Sequence, residues 1–302
     1  LFWQRTIKKA ISSTGIGLHS GKRVRMVLRP AAANTGVVFR RTDLENFEIK
    51  ANGEYLYKTD HATSLSKNRI CIDTVEHLMA ALLGTGVDNI IVELDSSEIP
   101  AMDGSASPFI YLLNEAGVKK LPRKRQLMRI KKPIEIRNNG KFIALYPSDT
   151  FRITYRIEFN HPAIRNQEAS YEINQKTFVE EIAPARTFGF LKDVELMRRN
   201  NLARGGSLDN AVILDDHKII NNPLRFDNEF VRHKILDAVG DMAFLRHRIL
   251  GHLVASKTGH EMHISLVNQI LNQPDSWELL SESAYEEMII DSAKKARKLS
   301  PA

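Results

Sequence analysis

Three side chains on one predicted helix carry the first sign of chemistry. The stretch Asn228–His247 reads NEFVRHKILDAVGDMAFLRH, and Pro223 and Asp227-Asn228 before it signal a helix start. Val231, Ile235, Ala238, Met242 and Leu245 recur at steps of three and four, which makes one apolar face. His233, Asp237 and Asp241 stand four apart. At roughly 100° per residue they drift only about 80° around the axis, so they share one stripe, with Lys234 beside them. An imidazole and two carboxylates on an otherwise apolar helix are costly to bury unless they are paired or bind a metal. Two readings stay open: a solvent face with an ordinary i,i+4 pair, or ligands of a catalytic metal whose third ligand comes from elsewhere. HExxH is absent, so the common metalloprotease arrangement is excluded.

Further titratable residues stand at element boundaries. Asp73-Thr-Val-Glu76 opens a helix predicted over Val75 to Leu83, closed by Gly84 and Gly86. Glu76 has the spacing of the third residue in a capping box begun by Asp73, and His77 follows it as a surface or satisfied core histidine. His19 lies at the turn marked by Ser20-Gly21, and His260 ends the turn Lys257-Thr258-Gly259-His260. No P-loop, GxGxxG, GxSxG or paired CxxC is present. Cys71 is the only cysteine, so an intramolecular disulfide is excluded, which fits a reducing cytoplasm. Its simplest role is that of a small buried apolar residue.

The elements that must position these groups read as α+β. Arg23–Leu28 puts basic residues out and mostly apolar ones in, as a half-buried strand does. Val87–Leu94 is a strand after the first His-bearing helix, and Phe109 to Ala116 is a helix after the turn-rich Pro100–Pro108. Apolar periodicity lapses in the basic stretch 119–132, which gives a boundary: a first domain over 1–121, a linker over 122–132 and a second domain over 133–302. The second domain begins with a hairpin, Ile134–Arg137 and Lys141–Tyr146 about Asn138-Asn139-Gly140. Phe151, Ile153, Tyr155, Ile157 and Phe159 alternate with polar residues as a strand. A short helix over Lys192–Asn200, an apolar run over Ala211–Leu214, a strand over Ile249–Ala255 and helices over Glu261–Leu271 and Glu282–Lys298 complete it. A His-bearing helix followed by a strand occurs in both halves, which hints at a duplicated unit.

Composition narrows the classes. Apolar residues make up 43% and charged residues 26% of 302, the profile of a soluble globular protein. No run of about 18 uncharged apolar residues occurs, so no transmembrane helix is expected, and the opening apolar patch is too short for a secretory signal. Lys+Arg 43 against Asp+Glu 36 gives +7, which favours an anionic partner. Basic residues clustered with aromatics, as RNA-binding motifs require, are missing, so no nucleic-acid partner is expected.

Nine stretches, taken in order, resemble one family. They are TGIGLHSGK (Thr14–Lys22), RPAAANTGVVFRRTDL (Arg29–Leu44), DTVEHLMAAL (Asp73–Leu82), EIPAMDGSASPF (Glu98–Phe109), EFNHPAI (Glu158–Ile164), ARTFGF (Ala185–Phe190), GGSLDNAV (Gly205–Val212), FVRHKILDAVGD (Phe230–Asp241) and SKTGH (Ser256–His260). Together they resemble the UDP-3-O-acyl-N-acetylglucosamine deacetylases of lipid A biosynthesis. The resemblance implies an α+β fold of two similar β/α layered domains with the active site between them, each carrying a small insert. It implies a zinc ion, with ferrous iron also suited, held by His77, His233 and Asp237. Glu76 falls on the family's general base, His260 on its catalytic histidine and Asp241 on the acidic partner of that histidine. Thr187 falls on the residue that steadies the oxyanion, and Lys234 belongs to the same catalytic group.

For the substrate, a UDP-linked acylated amino sugar, the resemblance implies diphosphate contacts at Lys141, Lys234 and Lys257 and a uracil contact at Phe159. His19 and Glu158 are further contacts, and Leu18, Val194, Ala203 and Ile213 line an apolar passage for the 3-O-acyl chain. The expected setting is cytoplasmic, close to a membrane surface at most, and monomeric. One departure is Thr59-Asp60-His61-Ala62-Thr63, more polar at Asp60 and His61 than many family members in the first-domain insert.

Overall fold

The computed structural model describes residues 2–58, 61–221 and 223–299. Asp60 therefore lies outside the described residues. The first half forms β1 (Trp3–Ile7), β2 (Ile11–Ile16), β3 (Arg23–Pro30), β4 (Val37–Arg41), β5 (Phe47–Lys50), β6 (Leu56–Lys58), β7 (Ser64–Lys67), β8 (Ile70–Ile72), α1 (Glu76–Thr85), β9 (Ile90–Leu94), α2 (Ser107–Ala116) and β10 (Val118–Lys124). The second forms β11 (Leu127–Ile130), β12 (Ile134–Asn138), β13 (Lys141–Tyr146), β14 (Phe151–Glu158), β15 (Asn166–Glu172), α3 (Gln175–Thr177), β16 (Phe188–Phe190), α4 (Leu191–Arg199), β17 (Val212–Leu214), α5 (Glu229–Met242), β18 (Arg248–Ser256), α6 (His260–Leu271), β19 (Trp277–Leu280) and α7 (Glu282–Leu299).

Two sheets repeat one plan. In the first the order is β2-β3-β9-β4-β5, with β9 antiparallel to β3 and parallel to β4. In the second β12-β13 and β14-β15 flank β18, which is antiparallel to β13 and parallel to β14. Each central strand follows a His-bearing helix, so the duplicated helix–strand unit hinted at by the sequence has a topological counterpart. Small insertions precede α1 and α5: the three-stranded β6-β7-β8 sheet in one half, and α4 with the parallel β16-β17 pair in the other.

The stretch 122–132, expected as the linker between the two domains, includes the end of β10 and all of β11. β10 pairs with β1, and β11 lies between β18 and β19. Most of β10 is exposed, and an edge strand studded with Lys, Arg and Pro122 shows no apolar alternation because it covers little core.

The polar stripe of α5 is not a solvent face. His233, Asp237 and Asp241 are 3%, 1% and 0% exposed, because α5 is covered on that side by α1 and on others by α6 and β14. α1 is itself buried along nearly its whole length, as a helix apolar on most sides must be. One apolar cluster runs through both halves and includes Phe39, Leu78, Tyr155 and Phe230. At roughly 1.5–3 kcal/mol per fully buried large apolar side chain, it outweighs the desolvation of a few polar groups.

The close approach of the helices depends on Gly240. A Cβ there would strike the carbonyl oxygen of Glu76 and sit 2.9 Å from its carbonyl carbon. A helix-interior glycine ordinarily gives way to alanine with a gain, but here the backbone of α1 blocks it. Gly240→Ala is expected to lower stability by about 1–3 kcal/mol, read from the midpoint of urea unfolding. An unchanged or raised midpoint would show that the helices can separate without cost.

Candidate metal and acid–base centre

Glu76 and His77 reach the site through an unusual turn. Thr74, β-branched, is held at a φ of 60°, and its Oγ1 donates to Glu98 Oε1 at 3.0 Å. The same buried carboxylate accepts from the backbone N–H groups of His19 and Ser20, each at 2.8 Å. Glu98 thus ties the Leu18-His19 turn to the start of α1. Strain of this kind persists where the surroundings over-determine it, as at functional sites. The capping box expected at Asp73 and Glu76 does not form: Val75 occupies the cap and makes no side-chain bond. Glu76 Oε2 instead accepts the backbone N–H of Thr63 at 3.0 Å.

His77, from α1, meets His233 and Asp237, from α5. Their ligand atoms lie within 4.8 Å of one another. Asp237 Oδ1 is 3.3 Å from His233 Nε2 and 3.6 Å from His77 Nε2. His233 Nδ1 lies 3.1 Å from the carbonyl oxygen of Ala185. A carbonyl only accepts, so Nδ1 carries the proton and Nε2 turns its lone pair inward. Lys234 Nζ donates to Asp237 Oδ2 at 2.6 Å, whereas Asp237 Oδ1 is buried without a hydrogen-bond partner. An orphaned carboxylate oxygen facing two imidazoles fits a divalent ion. The other candidate group, Asp241, His260 and His263, fits one less well because its carboxylate is already spent. Oδ1 accepts from Thr63 Oγ1 at 2.6 Å, and Oδ2 meets Nδ1 of His260 and of His263, each at 2.8 Å.

Local fields drive these groups apart. Burial raises Glu76, only partly offset by the nearby His260 and His77. Burial works against Asp237 and Asp241 as well, but His233, Lys234 and His260 hold Asp237 well below the ordinary carboxylate range. His260, through charge and a hydrogen bond, holds Asp241 at about 2. Burial pulls His260 down, yet Asp241 and Asp237 outweigh it and hold it up at about 9. Burial lowers His233 to about 4 despite Asp237, so it stays neutral, as a ligand must.

The centre lies in the wall of a cavity of about 490 Å³. Glu76, His77, His233, Asp237, His260, Lys234 and Thr187 line it, as do His19, Leu18, Val194, Ala203 and Ile213. Asp241 stands behind His260. Lys141, Phe159 and Lys257 are not in this wall. Lys257 pairs with Glu158 at 2.6 Å, and Lys141 faces it across the end of the β13–β18 ladder, one position beyond the Phe142–Ser256 pair. Phe159 packs edge-on against Phe188, a wall residue, at 5.7 Å. His61 lines the cavity with its ring centre 6.3 Å from that of His19.

Other contributors gave little sign in the sequence. His263 is the partner of Asp241 opposite His260 and is steadied by Tyr155 Oη at 3.0 Å; its spacing of three from His260 was the available signal. Thr63 bridges Glu76 and Asp241 and carries no signal at all. Glu229, fully buried in the first turn of α5, accepts from the Arg186 backbone N–H at 2.9 Å and from Arg186 Nε at 2.8 Å. That clamp fixes the loop carrying Ala185 and Thr187, at a helix end where negative charge is favoured.

Two histidines facing the unpaired oxygen of a buried carboxylate, with a second buried carboxyl and a charged imidazole alongside, form a group that could hold a metal ion. The family model described as UDP-3-O-acyl N-acetylglycosamine deacetylase (LpxC) matches residues 4–272, and the chain belongs to that family. It is 48% identical over 283 residues to a UDP-3-O-acyl-N-acetylglucosamine deacetylase of Idiomarina loihiensis, covering 92% of each chain. A protein of the same name from Pseudoalteromonas atlantica is 49% identical over 292 residues, 95% of this chain and 96% of its own. No helix among the described residues is long and apolar enough to cross a membrane.

The His260–Asp241 pair gives a pH signature in the metal-free protein. A histidine with a raised pKa lends stability that is whole below its unfolded value of 6.5 and is lost as pH rises through about 9. Melting temperature is expected to fall more steeply between about pH 6.5 and about pH 10 in the wild type than in His260→Gln. Parallel profiles would contradict the pairing.

Proposed function

We propose that this chain removes the N-acetyl group from UDP-3-O-(3-hydroxyacyl)-N-acetylglucosamine, yielding acetate and the free amine, in lipid A biosynthesis. The observation that carries the reading is the orphaned Asp237 Oδ1 between His77 and His233, with Glu76 and His260 lining the same cavity. The substrate follows the names of the relatives. The reading brings with it a cytoplasmic location, at most near a membrane surface, and a monomer.

His77, His233 and Asp237 would hold the zinc, or ferrous iron, since two imidazoles and a carboxylate suit either. Such an ion supplies Lewis acidity toward the amide carbonyl and lowers the pKa of water. Glu76, its basicity raised by burial, takes a proton from the attacking water as the new C–O bond forms. The Thr187 hydroxyl donates to the developing oxyanion. Asp241 engages Nδ1 of His260, which leaves Nε2–H to protonate the leaving nitrogen as the C–N bond breaks. Lys234, fixed on Asp237, adds positive charge at the reacting end.

Lys141 and Lys257 would meet the diphosphate; Glu158 holds Lys257 in place until the anion arrives. Phe159, backed by Phe188 and Phe190, would offer a ring to uracil. Leu18, Val194, Ala203 and Ile213 give the acyl chain an apolar wall, and His61 would narrow its entrance.

Acetate release from the UDP-linked substrate is expected with metal-loaded enzyme and is expected to vanish on chelation. Glu76→Ala is expected to lower kcat by about 10²–10⁴. A folded, zinc-loaded protein that releases no acetate would sink the substrate assignment. Thr187→Val is expected to reduce kcat by about 10²–10³ with KM little changed. A pure KM effect would make Thr187 a binding residue instead.

A further inference from the structure

A second cavity, of about 630 Å³, opens at the far ends of the two helices that carry the metal centre. α1 begins with Glu76 and His77 in the first cavity and ends with Leu82, Leu83 and Gly86 in the second, roughly 15 Å away along its axis. α5 likewise runs from His233 and Asp237 to the turn Ala243–Leu245 in the second wall. Nothing in the proposed deacetylation uses this space.

Its chemistry is cationic. Arg125, Arg246 and Arg248 line it, with Lys124 engaged by Glu282 and Asp88 engaged by Arg125 at 2.6 Å. Glu54 lies at the exposed rim. Arg125 is 6% exposed, yet its Nε–H has no acceptor, and neither has that of Arg248. The two guanidiniums converge over Gly86. A Cβ there would strike Nη2 of Arg248 and lie 3.7 Å from Nη1 of Arg125. Only a glycine at the left-handed end of α1, at a φ of 77°, leaves that approach open. Burial, with Arg125 alongside, pulls Arg248 down to about 10, and Asp88 offsets this only in part. Cations crowded into one buried place without matching anions are destabilising, and an oxyanion removes that cost. The remaining wall is apolar, with Met79, Met128, Phe244 and Leu245 among it.

We propose that this cleft is a second ligand site, which takes an organic phosphate monoester: its dianionic head between the Arg248 and Arg125 guanidiniums, its body against the apolar wall. Arg125 commits Nη2 to Asp88 and to the carbonyl oxygens of Trp3 and Gly86 and keeps Nε–H and Nη1 for the ligand, whereas Arg248 makes no side-chain hydrogen bond within the described residues. Forked guanidinium donors match phosphate oxygens in pairs. Two charges on the head, rather than one, answer the excess of Arg248 and Arg246.

The probe is phenyl phosphate, titrated calorimetrically into the whole metal-loaded chain, where any binding at the first cavity persists unchanged in the Arg248 and Arg246 variants. Binding is expected in the wild type and is expected to weaken at least tenfold in Arg248→Gln. Phenyl sulfate, the monoanion of like shape, is expected to bind at least tenfold more weakly than phenyl phosphate. Both variants used, Arg248→Gln and the rim variant Arg246→Gln, are expected to retain wild-type acetate release. Arg246→Gln, at an exposed residue, gives the same test with a several-fold loss if the first variant does not fold. No binding at millimolar phenyl phosphate overturns the proposal, as does equal binding by wild type and variants, or equal binding of sulfate and phosphate.

Discussion

Asp237 is an ionised carboxylate taken almost wholly out of water, and the arrangement of the two central helices follows from what must surround it. A buried charge left uncompensated costs several kcal/mol. Lys234 compensates one oxygen. The other faces His77 and His233 and makes no hydrogen bond, an arrangement that suits a cation. Bringing His77 across from α1 demands that the helices nearly touch, which the missing side chain of Gly240 permits. The duplicated sheets and the shared apolar cluster supply the packing energy that holds such a pair of helices together.

Around that carboxylate the acid–base groups are sorted by their neighbours. Three acidic groups sit within one buried region, yet burial dominates only at Glu76, where the carboxyl is raised. At Asp237 and Asp241 imidazole and ammonium neighbours win. Pairs of groups pushed in opposite directions are how one site holds both a base and an acid. Thr63 ties the two sides together, its N–H on Glu76 and its hydroxyl on Asp241. His263 and Tyr155 brace Asp241 from behind. His260 is thereby held by a network of side chains, not by a lone carboxylate.

The sequence revealed the elements with strong periodicity and lost those without it. The stripe on α5, the alternation of β14 and the Asn139-Gly140 turn were all legible, because each is a local pattern. Whether the α5 stripe faced water or another helix was not, since periodicity names a face and not its neighbour. Leu18, Val194, Ala203 and Ile213, which the family resemblance assigns to an acyl passage, stand in the cavity wall. The strand β10 was hidden by charge and proline at a sheet edge, and β11 and β6 to β8 by their shortness. Thr63 and Glu229 were invisible for a different reason. Their work is done across 178 and 43 positions of sequence, and nothing local distinguishes them from an ordinary loop threonine or a first-turn glutamate.

The most direct test of this account is the stoichiometry and ligand set of the bound metal, by elemental analysis and X-ray absorption on the wild type and on Asp237→Asn. One ion per chain with two imidazole ligands is expected, and at least about tenfold weaker binding in Asp237→Asn. Undiminished binding in Asp237→Asn, together with loss of the ion in His263→Ala, would place the metal on the Asp241 group and contradict the reading of Asp237 as the carboxylate that waits for a cation.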